Sequence, residues 1–317
     1  MDRIAVLGAG VLGGQIAWHS AYRGKTVYVY DPFPEALERA RAAHQGYADI
    51  YSDSFGADDA AIEAARNRLS YHSELEPAVG DVDFVIEVVP EVPEIKTGLY
   101  QQLAPFLDDR TLIATNSSTF LPRDFADATG RPSQYCALHF ANMIWALNVV
   151  EIMAHPGTAR STLEAATHFA IEIGMVPVPV RKEQHGYVMN SWQVPLITSS
   201  LSLVATGVAS IEDVDRTFMI VNRGANMGPG GLVDMVGFKT AYDISSYWGE
   251  VRSDDEMRTV AAFVKERFLD QGLQGRMGGE GFYTYPNPAY EAADFLDVPD
   301  ASVVSKIVNA TLVSTST

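Results

Sequence analysis

Short apolar runs alternate with segments of helical periodicity through the first 180 or so residues. The runs that predict strands are Arg3–Leu7, Thr26–Tyr30, Asp83–Val89 and Thr111–Thr115. Between them, apolar residues recur every three to four positions, as on one face of a helix. The run at 83–89 is almost continuously apolar, which is typical of a strand buried on both faces of a parallel sheet. The alternation predicts a doubly wound α/β fold.

Two later apolar stretches differ from this pattern because only a short loop separates them. Tyr135–Ala141 and Val149–Ala154 bracket a loop centred on Trp145. If the two stretches pair as antiparallel strands, residues equidistant from the loop face each other. His139 and Glu151 are such a pair, so the pattern predicts a histidine beside a carboxylate.

Beyond residue 181 the chain reads as helix without strands, beginning with predicted helices over Val188–Ala205 and Ile211–Val221. With 317 residues, 47% of them apolar, the chain has enough material for two cores. We therefore predict an α/β domain over residues 1–183 and a smaller all-α domain over 184–317.

Composition limits the cellular compartments and the classes of partner that we expect for this protein. The chain holds one cysteine, Cys136, which excludes an internal disulfide and a cysteine metal cluster, and we expect it to be a buried apolar residue. We expect no membrane span, because the sequence has no uninterrupted run of about 18 apolar residues. We also expect no signal peptide, because no signal-peptide core follows Met1. The formal net charge is −17, which repels nucleic acid and anionic membranes. We expect a cytoplasmic protein with neither of these partners and no metal.

A glycine-rich loop follows the first predicted strand and opens the first predicted helix. In this G-x-G-x-x-G pattern, Gly8 permits a tight turn, Gly10 lets a pyrophosphate approach the backbone, and Gly13 lets helix and strand pack closely. Amides at the start of the helix, including those of Val11 and Leu12, would receive the phosphate charge. The context predicts a dinucleotide-binding Rossmann domain. Glycines that serve packing only remain the alternative.

Asp31 ends the second predicted strand, 21 residues after Gly10. A carboxylate here would accept hydrogen bonds from the adenosine ribose and repel the additional phosphate of NADP. Pro32 and Phe33 follow, with no arginine to receive that phosphate. The pattern favours NAD, with FAD as an alternative because its folds share the glycine fingerprint.

A nicotinamide cofactor removes hydride from a hydroxyl-bearing carbon, and the hydroxyl proton must pass to a base. Histidine held by a carboxylate is suited to this role because the carboxylate fixes the tautomer and stabilises the cation. His139 and Glu151 meet that description, although a histidine in an apolar strand can also be an ordinary core residue.

Several segments in this order resemble the L-3-hydroxyacyl-CoA dehydrogenase family, including bacterial 3-hydroxybutyryl-CoA dehydrogenases, over nearly the whole chain. The matching segments are GAGVLGGQIA at 8–17, IEVVPEVPEIK at 86–96, TNSST at 115–119, LHFAN at 138–142, VVEIM at 149–153, HGYVMN at 185–190, MGPGGLVDMVG at 227–237 and GGEGFYTY at 278–285. Eight segments in family order are far more specific than any one of them.

The resemblance implies roles for individual residues. By position, Ser118, His139, Glu151 and Asn190 match the family's catalytic serine, histidine, glutamate and asparagine. In this interpretation Ser118 and Asn190 would hydrogen-bond the substrate oxygen while His139 takes its proton. Each also has a plainer interpretation: a turn cap for Ser118, a strand end for Glu151 and a helix start for Asn190.

The same matching implies further cofactor contacts. Glu91 and Lys96 match residues that flank the ribose and nicotinamide side of the cofactor, and Asn116 of the TNSST segment joins this set. Glu91 and Lys96 could equally be charges at a helix terminus. The C-terminal domain would complete the substrate cleft and form a homodimer through apolar residues such as Met235 and Val236, together with Val233.

Two departures weaken the inference to a CoA substrate. Where the family often has a lysine-rich helical segment at the CoA tail, this chain has Arg41, His44 and the acidic run Asp53–Glu63. The residues after His139 also depart from the family pattern, and Trp145 is either core or a pocket wall.

The leading hypothesis is therefore NAD-dependent oxidation of a short-chain (S)-3-hydroxyacyl-CoA. Two alternatives remain: oxidation of a small free 3-hydroxy compound of the carnitine or gulonate type, and a crystallin-like protein that keeps NAD without turnover.

Overall fold

A computed structural model describes residues 1–222, 227–251 and 253–312, without the side chains at 198, 201, 202, 215, 247 and 251. Its centre is one eight-stranded sheet in the order β3-β2-β1-β4-β5-β6-β7-β8. The strands are β1 (Arg3–Leu7), β2 (Thr26–Tyr30), β3 (Leu69–His72), β4 (Phe84–Glu87), β5 (Leu112–Thr115), β6 (Tyr135–Phe140), β7 (Val149–Met153) and β8 (Val176–Val180). None of the helices in the described ranges is long and apolar enough to cross a membrane.

Every neighbouring pair of strands is parallel except β6 and β7. In that antiparallel pair His139 lies directly opposite Glu151, as the spacing about Trp145 predicts. Parallel neighbours place the carboxyl ends of β1, β2, β4 and β5 at one edge of the sheet. That edge is where open α/β sheets bind ligands.

Helices alternate with the strands along the chain and continue after β8. They are α1 (Val11–Tyr22), α2 (Pro34–Phe55), α3 (Asp59–Arg66), α4 (Leu75–Val79), α5 (Pro93–Leu103), α6 (Arg160–Glu172), α7 (Met189–Ala205), α8 (Ile211–Val221), α9 (Pro229–Val236), α10 (Phe238–Val251), α11 (Asp255–Arg267) and α12 (Val304–Thr311). Helix α2 ends at Gly56, which has φ of 64°. Such a left-handed residue is a common helix terminator. A doubly wound sheet followed by helices is thus confirmed.

The chain forms two compact units whose limits differ from the predicted division at residue 183. The first unit comprises Met1–Thr198 and the chain from Val298 onward, and the second is Ser199–Asp297. The last helix, α12, returns to the first unit, where Val304 and Val308 are part of the sheet's hydrophobic core. The second unit has its own core, in which Phe238 stacks on Phe268 at 3.9 Å between ring centroids.

An aromatic cluster lies where α1, α2 and α3 pack together, around the buried Trp18 and Tyr51. Trp145, which the sequence left as core or pocket wall, packs partly buried against this cluster, with its ring 5.3 Å from that of Tyr47. Cys136 is fully buried in the sheet, and burial raises the pKa of its thiol to about 12. It is the buried apolar residue that its sequence context predicts.

Candidate active site

The glycine loop between β1 and α1 has the geometry that each glycine was expected to provide. Gly8 has φ of 113°, and a Cβ there would lie 2.5 Å from the carbonyl oxygen of Val88. A Cβ on Gly13 would lie 1.9 Å from the oxygen of Gly8, so helix and strand could not approach as they do. Gly10 is different, because beyond its two chain neighbours no atom of the described residues lies within 4 Å of its ideal Cβ position. Packing therefore explains two glycines and leaves the space above Gly10 open.

That open space belongs to a cavity of about 660 Å³ at the carboxyl edge of the sheet. Its lining includes Gly8, Gly10, Val11, Asp31 and Glu91 of the predicted cofactor residues. The first amides of α1 face a site suited to an anion, because the N-terminal N–H groups of a helix have no partner within the helix. The cradle at Gly10 thus fits a pyrophosphate.

Asp31 organises the loop as well as the cavity. Its carboxylate oxygens accept from the backbone N–H of Ala9 at 2.9 Å and of Phe33 at 3.1 Å. Each carboxylate oxygen has two lone pairs, so capacity remains for ribose hydroxyls. Arg39 also lines this cavity. The sequence interpretation overlooked Arg39 because it lies on α2, eight positions beyond Asp31.

At the centre of the site, His139 is held between a carboxylate and a hydroxyl. Its Nδ1 lies 2.8 Å from Glu151 Oε2, and its Nε2 lies 3.1 Å from Ser118 Oγ. His139 and Glu151 are each only 2% exposed. A carboxylate can only accept, so Nδ1 carries the hydrogen and the Nε2 lone pair is directed at Ser118. This is the tautomer that a general base requires.

Glu151 is fixed by the start of α7 as well as by the histidine. Its other oxygen, Oε1, accepts from the backbone N–H groups of Val188 and Met189, both at 2.8 Å. A carboxylate at a helix N-terminus is stabilised by the helix dipole. The Tyr187 ring packs 4.8 Å from that of His139 and shields the pair from water.

The turn after β5 carries Ser118 and is held by side-chain hydrogen bonds. Asn116 Oδ1 accepts from the Phe140 N–H at 2.8 Å, which ties this turn to the residue after His139. Ser117 Oγ donates to Glu91 at 2.8 Å, and the Ser118 N–H donates to the same carboxylate at 3.2 Å. Glu91 therefore both lines the cofactor cavity and supports the serine.

Lys96 is 1% exposed and does not line the cavity. Its ammonium lies 2.8 Å from Glu87 Oε1 and 3.7 Å from Glu91 Oε1. Leu12, Gly13 and Asn116 also lie outside the cavity lining. Sequence reasoning missed Glu87, since a carboxylate within the apolar run at 83–89 gave no signal other than its place in a family-like segment.

Asn190 lies on the first turn of α7, within the first compact unit. Its backbone N–H donates to the Gly186 carbonyl at 3.0 Å. No hydrogen bond links its side chain to Ser118, His139 or Glu151, all three of which the structure describes. The structure thus brings together three of the four expected catalytic residues, with the fourth on the helix that Glu151 caps.

Comparison with known protein families gives two adjoining matches. Residues 3–184 match the NAD-binding domain of 3-hydroxyacyl-CoA dehydrogenase, and residues 186–285 match the C-terminal domain of the same family.

Individual relatives fall into two groups. A probable 3-hydroxybutyryl-CoA dehydrogenase of Deinococcus radiodurans is 30% identical over 89% of this chain and 100% of its own. The mitochondrial hydroxyacyl-coenzyme A dehydrogenase of Sus scrofa is 29% identical over 90% of this chain and 91% of its own. A solved diketoreductase, described as performing dual catalysis of dicarbonyl compounds, is 41% identical with a TM-score of 0.66 and covers 90% of this chain and 99% of its own.

Fold, glycine cradle and family match together define an NAD-dependent oxidoreductase. The chain belongs to the 3-hydroxyacyl-CoA dehydrogenase family. The resemblance noted from its sequence segments is confirmed, and NAD as the cofactor is confirmed with it.

Proposed function

We propose that this enzyme catalyses the reversible, NAD-dependent oxidation of a short-chain (S)-3-hydroxyacyl-CoA to the 3-oxoacyl-CoA. The observation that carries the chemical part is the line of hydrogen bonds from Ser118 through His139 to Glu151. The CoA part is supported by the relatives named for hydroxyacyl-CoA oxidation.

In the proposed mechanism His139 is the base. Bound NAD supplies the hydride acceptor. His139 accepts the hydroxyl proton at Nε2, while Ser118 hydrogen-bonds the oxygen that is changing from hydroxyl to carbonyl. Glu151 keeps the hydrogen on Nδ1 and offsets the positive charge on the ring. The same groups return the proton when the reaction runs toward the alcohol.

The remaining site residues divide by position. We assign Gly8, Gly10, Val11, Leu12 and Gly13 to the pyrophosphate loop. Asp31 is assigned to the ribose, and Glu91, Lys96 and Asn116 support the nicotinamide side. Asn190 is assigned to the substrate oxygen because of its position in the HGYVMN segment, where it directly follows Met189, whose N–H donates to Glu151.

A second candidate is a small dicarbonyl or free 3-hydroxy compound without CoA. The 41% identity to a diketoreductase favours it. So does the surface of α2 and α3, where Arg41 pairs with Glu38 and stacks on Tyr71 at 4.1 Å, and where His44 is buried. The Arg41 charge is thus already paired within the protein, and His44 is buried with its pKa lowered to about 4, so neither offers much to a CoA phosphate.

One parallel assay separates the two candidates. NADH formation is measured with 3-hydroxybutyryl-CoA, carnitine and gulonate, and NADH consumption with acetoacetyl-CoA and a simple 1,3-diketone. We expect kcat/KM to be highest for the CoA ester, and its KM to hold or fall as salt rises, because salt screens the repulsion from a protein of net charge −17. A preference for the compounds without CoA at every ionic strength would establish the second candidate. Bound NAD with no turnover of any of them would leave the crystallin-like alternative.

We further propose that the enzyme is a cytoplasmic homodimer with neither nucleic-acid nor membrane partners. Support comes from the acidic composition and from the exposed Met235 and Val236 on α9, while Val233 packs against the core of the second unit. Sedimentation of the wild type and of Met235→Glu tests the dimer, since a charge in an apolar interface should produce monomers.

A further inference from the structure

Glu87, the last residue of β4, gathers four donors although its side chain is completely buried. Oε1 accepts from the Val89 N–H at 2.9 Å and from Lys96 Nζ at 2.8 Å. Oε2 accepts from Tyr100 Oη at 2.6 Å and from Thr115 Oγ1 at 2.7 Å. A buried carboxylate with this many donors is held rigidly, because moving it would leave several buried groups unpaired.

Two of these contacts lead to the turn that carries Ser118. Thr115 lies opposite Glu87 in the parallel β4–β5 register. Because the Thr115 hydroxyl donates to Glu87, its lone pair is free to accept from the Ser117 N–H, which lies 3.1 Å away. The hydroxyl thus connects the carboxylate to the backbone of the turn.

The second connection passes through Lys96. Its ammonium bridges from Glu87 to Glu91, and Glu91 accepts from both Ser117 and Ser118. The turn is therefore fixed on two sides by one buried residue. The 3.1 Å contact between Ser118 Oγ and His139 Nε2 depends on where that turn is placed.

We propose that Glu87 is a positioning residue for the reaction, acting mainly through Thr115 to set Ser118 against His139. This inference rests on the proposed function, in which Ser118 and His139 handle the substrate oxygen and its proton. Glu87 itself does not touch substrate. The contact geometry of catalytic groups is critical, since a misplacement of about 1 Å can cost 10²-fold in rate.

The structure offers a matched pair of variants for the test. Thr115 and Tyr100 are both completely buried, and each donates one hydrogen bond of similar length to the same oxygen of Glu87. Only Thr115 continues to the serine turn, whereas the Tyr100 hydroxyl continues to that of Tyr135 at 3.2 Å. Thr115→Val and Tyr100→Phe each remove one hydroxyl that donates a hydrogen bond to this oxygen.

We expect both variants to lower the thermal midpoint to a similar degree. Thr115→Val should lower kcat by about 10- to 100-fold, with KM for NAD within about twofold, because the base loses its aligned serine while the cofactor cavity is unchanged. Tyr100→Phe should change kcat by less than about threefold, since it loses one hydrogen bond of ordinary strength away from the turn. Equal losses of kcat in the two variants, or an unchanged kcat in Thr115→Val, would overturn the positioning role.

A second measurement does not depend on turnover. Nitrogen NMR of ¹⁵N-histidine-labelled protein reports whether His139 Nε2 accepts a hydrogen bond. We expect this signal to move in Thr115→Val and to stay in place in Tyr100→Phe. If the wild type turns over none of the substrates but the signals behave in this way, the proposed function fails and the positioning role stands. Signals that move alike in both variants, or in neither, would contradict the positioning role.

Discussion

Two regions of the first unit bury histidine almost completely, but the hydrogen-bond partners differ. In one region they keep the ring neutral, and in the other they allow it to take up a proton. In the aromatic cluster, His19 bonds Tyr51 Oη at 2.6 Å and the Ile173 carbonyl at 2.7 Å. His44 bonds Tyr71 Oη at 2.6 Å and the Gly14 carbonyl at 2.9 Å.

At the site, His139 bonds a carboxylate and a serine hydroxyl. All three rings are no more than 3% exposed, so burial does not distinguish them.

The difference lies in charge compensation. A carbonyl must receive an N–H, so Nε2 of His19 and His44 donates and Nδ1 accepts from the phenol. Within the described part of the chain, neither ring has a carboxylate as hydrogen-bond partner to offset a positive charge, and burial lowers the pKa of each to about 4. His139 instead has Glu151 on Nδ1, while its Nε2 lone pair faces the Ser118 hydroxyl. A buried histidine can gain a proton during reaction only where its partners offset the charge.

The largest expected effect comes from removing the base or its partner. His139→Gln should lower kcat by at least about 10²- to 10⁴-fold, the usual contribution of a general base. Glu151→Gln should approach that loss, because an amide cannot offset the ring cation. The double variant should lose little more, since groups acting as one unit are not additive. Steady-state kinetics of the four proteins completes the cycle.

Measuring the folding stability of each variant controls for losses of kcat that come from a damaged fold. Glu151 also accepts from two backbone N–H groups of α7, so each variant is compared by circular dichroism and urea unfolding. If the two single losses multiply in the double variant, Glu151 acts separately from the histidine. His44→Gln should leave kcat within about threefold, because no charge or proton is exchanged there during reaction.

The sequence predicted the contact between His139 and Glu151 because it depends on a local pattern: two strands of period two about a short loop. The glycine loop is likewise local. The four donors on Glu87 could not be predicted, since they come from the segment after β4, from α5 and from β5, and are defined only when the sheet is assembled. β3 was missed because Leu69–His72 is short and half polar. The return of α12 to the sheet was missed because its core contacts are more than 120 residues distant along the chain.

Acid should destabilise the protein through the two histidines of the aromatic cluster. The unfolded state binds protons on His19 and His44 near pH 6.5, whereas the folded state binds them only near pH 4. The free energy of unfolding therefore falls as pH drops through this interval, by about 3 kcal/mol for each histidine. His44→Gln should flatten the decline between pH 6.5 and 4. Urea unfolding at half-unit steps of pH measures it.

His168 on α6 is a matched control for this experiment because its side chain is exposed. His168→Gln should leave the acid slope unchanged. An equal slope in wild type and His44→Gln would mean that His44 can be protonated in place, and the contrast with His139 would then not rest on compensation.

The smallest expected effect concerns Asp31, a carboxylate that differs from Glu151 because its donors among the described residues are backbone N–H groups only. Asp31→Ser should lower kcat/KM for NAD about tenfold and narrow the gap to NADP by a similar factor, because one charge no longer repels the 2′-phosphate. Arg39 lines the same cavity and has no ion-pair partner among the described residues, whereas Arg41 is paired with Glu38.

In Asp31→Ser, the unpaired Arg39 should attract the 2′-phosphate and so supply part of the improved use of NADP. Asp31→Ser with Arg39→Ala should therefore lose it, while Asp31→Ser with Arg41→Ala should keep it. Dissociation constants of ADP-ribose and 2′-phospho-ADP-ribose isolate the adenosine end from turnover. An unchanged ratio of NAD to NADP use in Asp31→Ser would show that the carboxylate serves the glycine loop through Ala9 and does not select the cofactor.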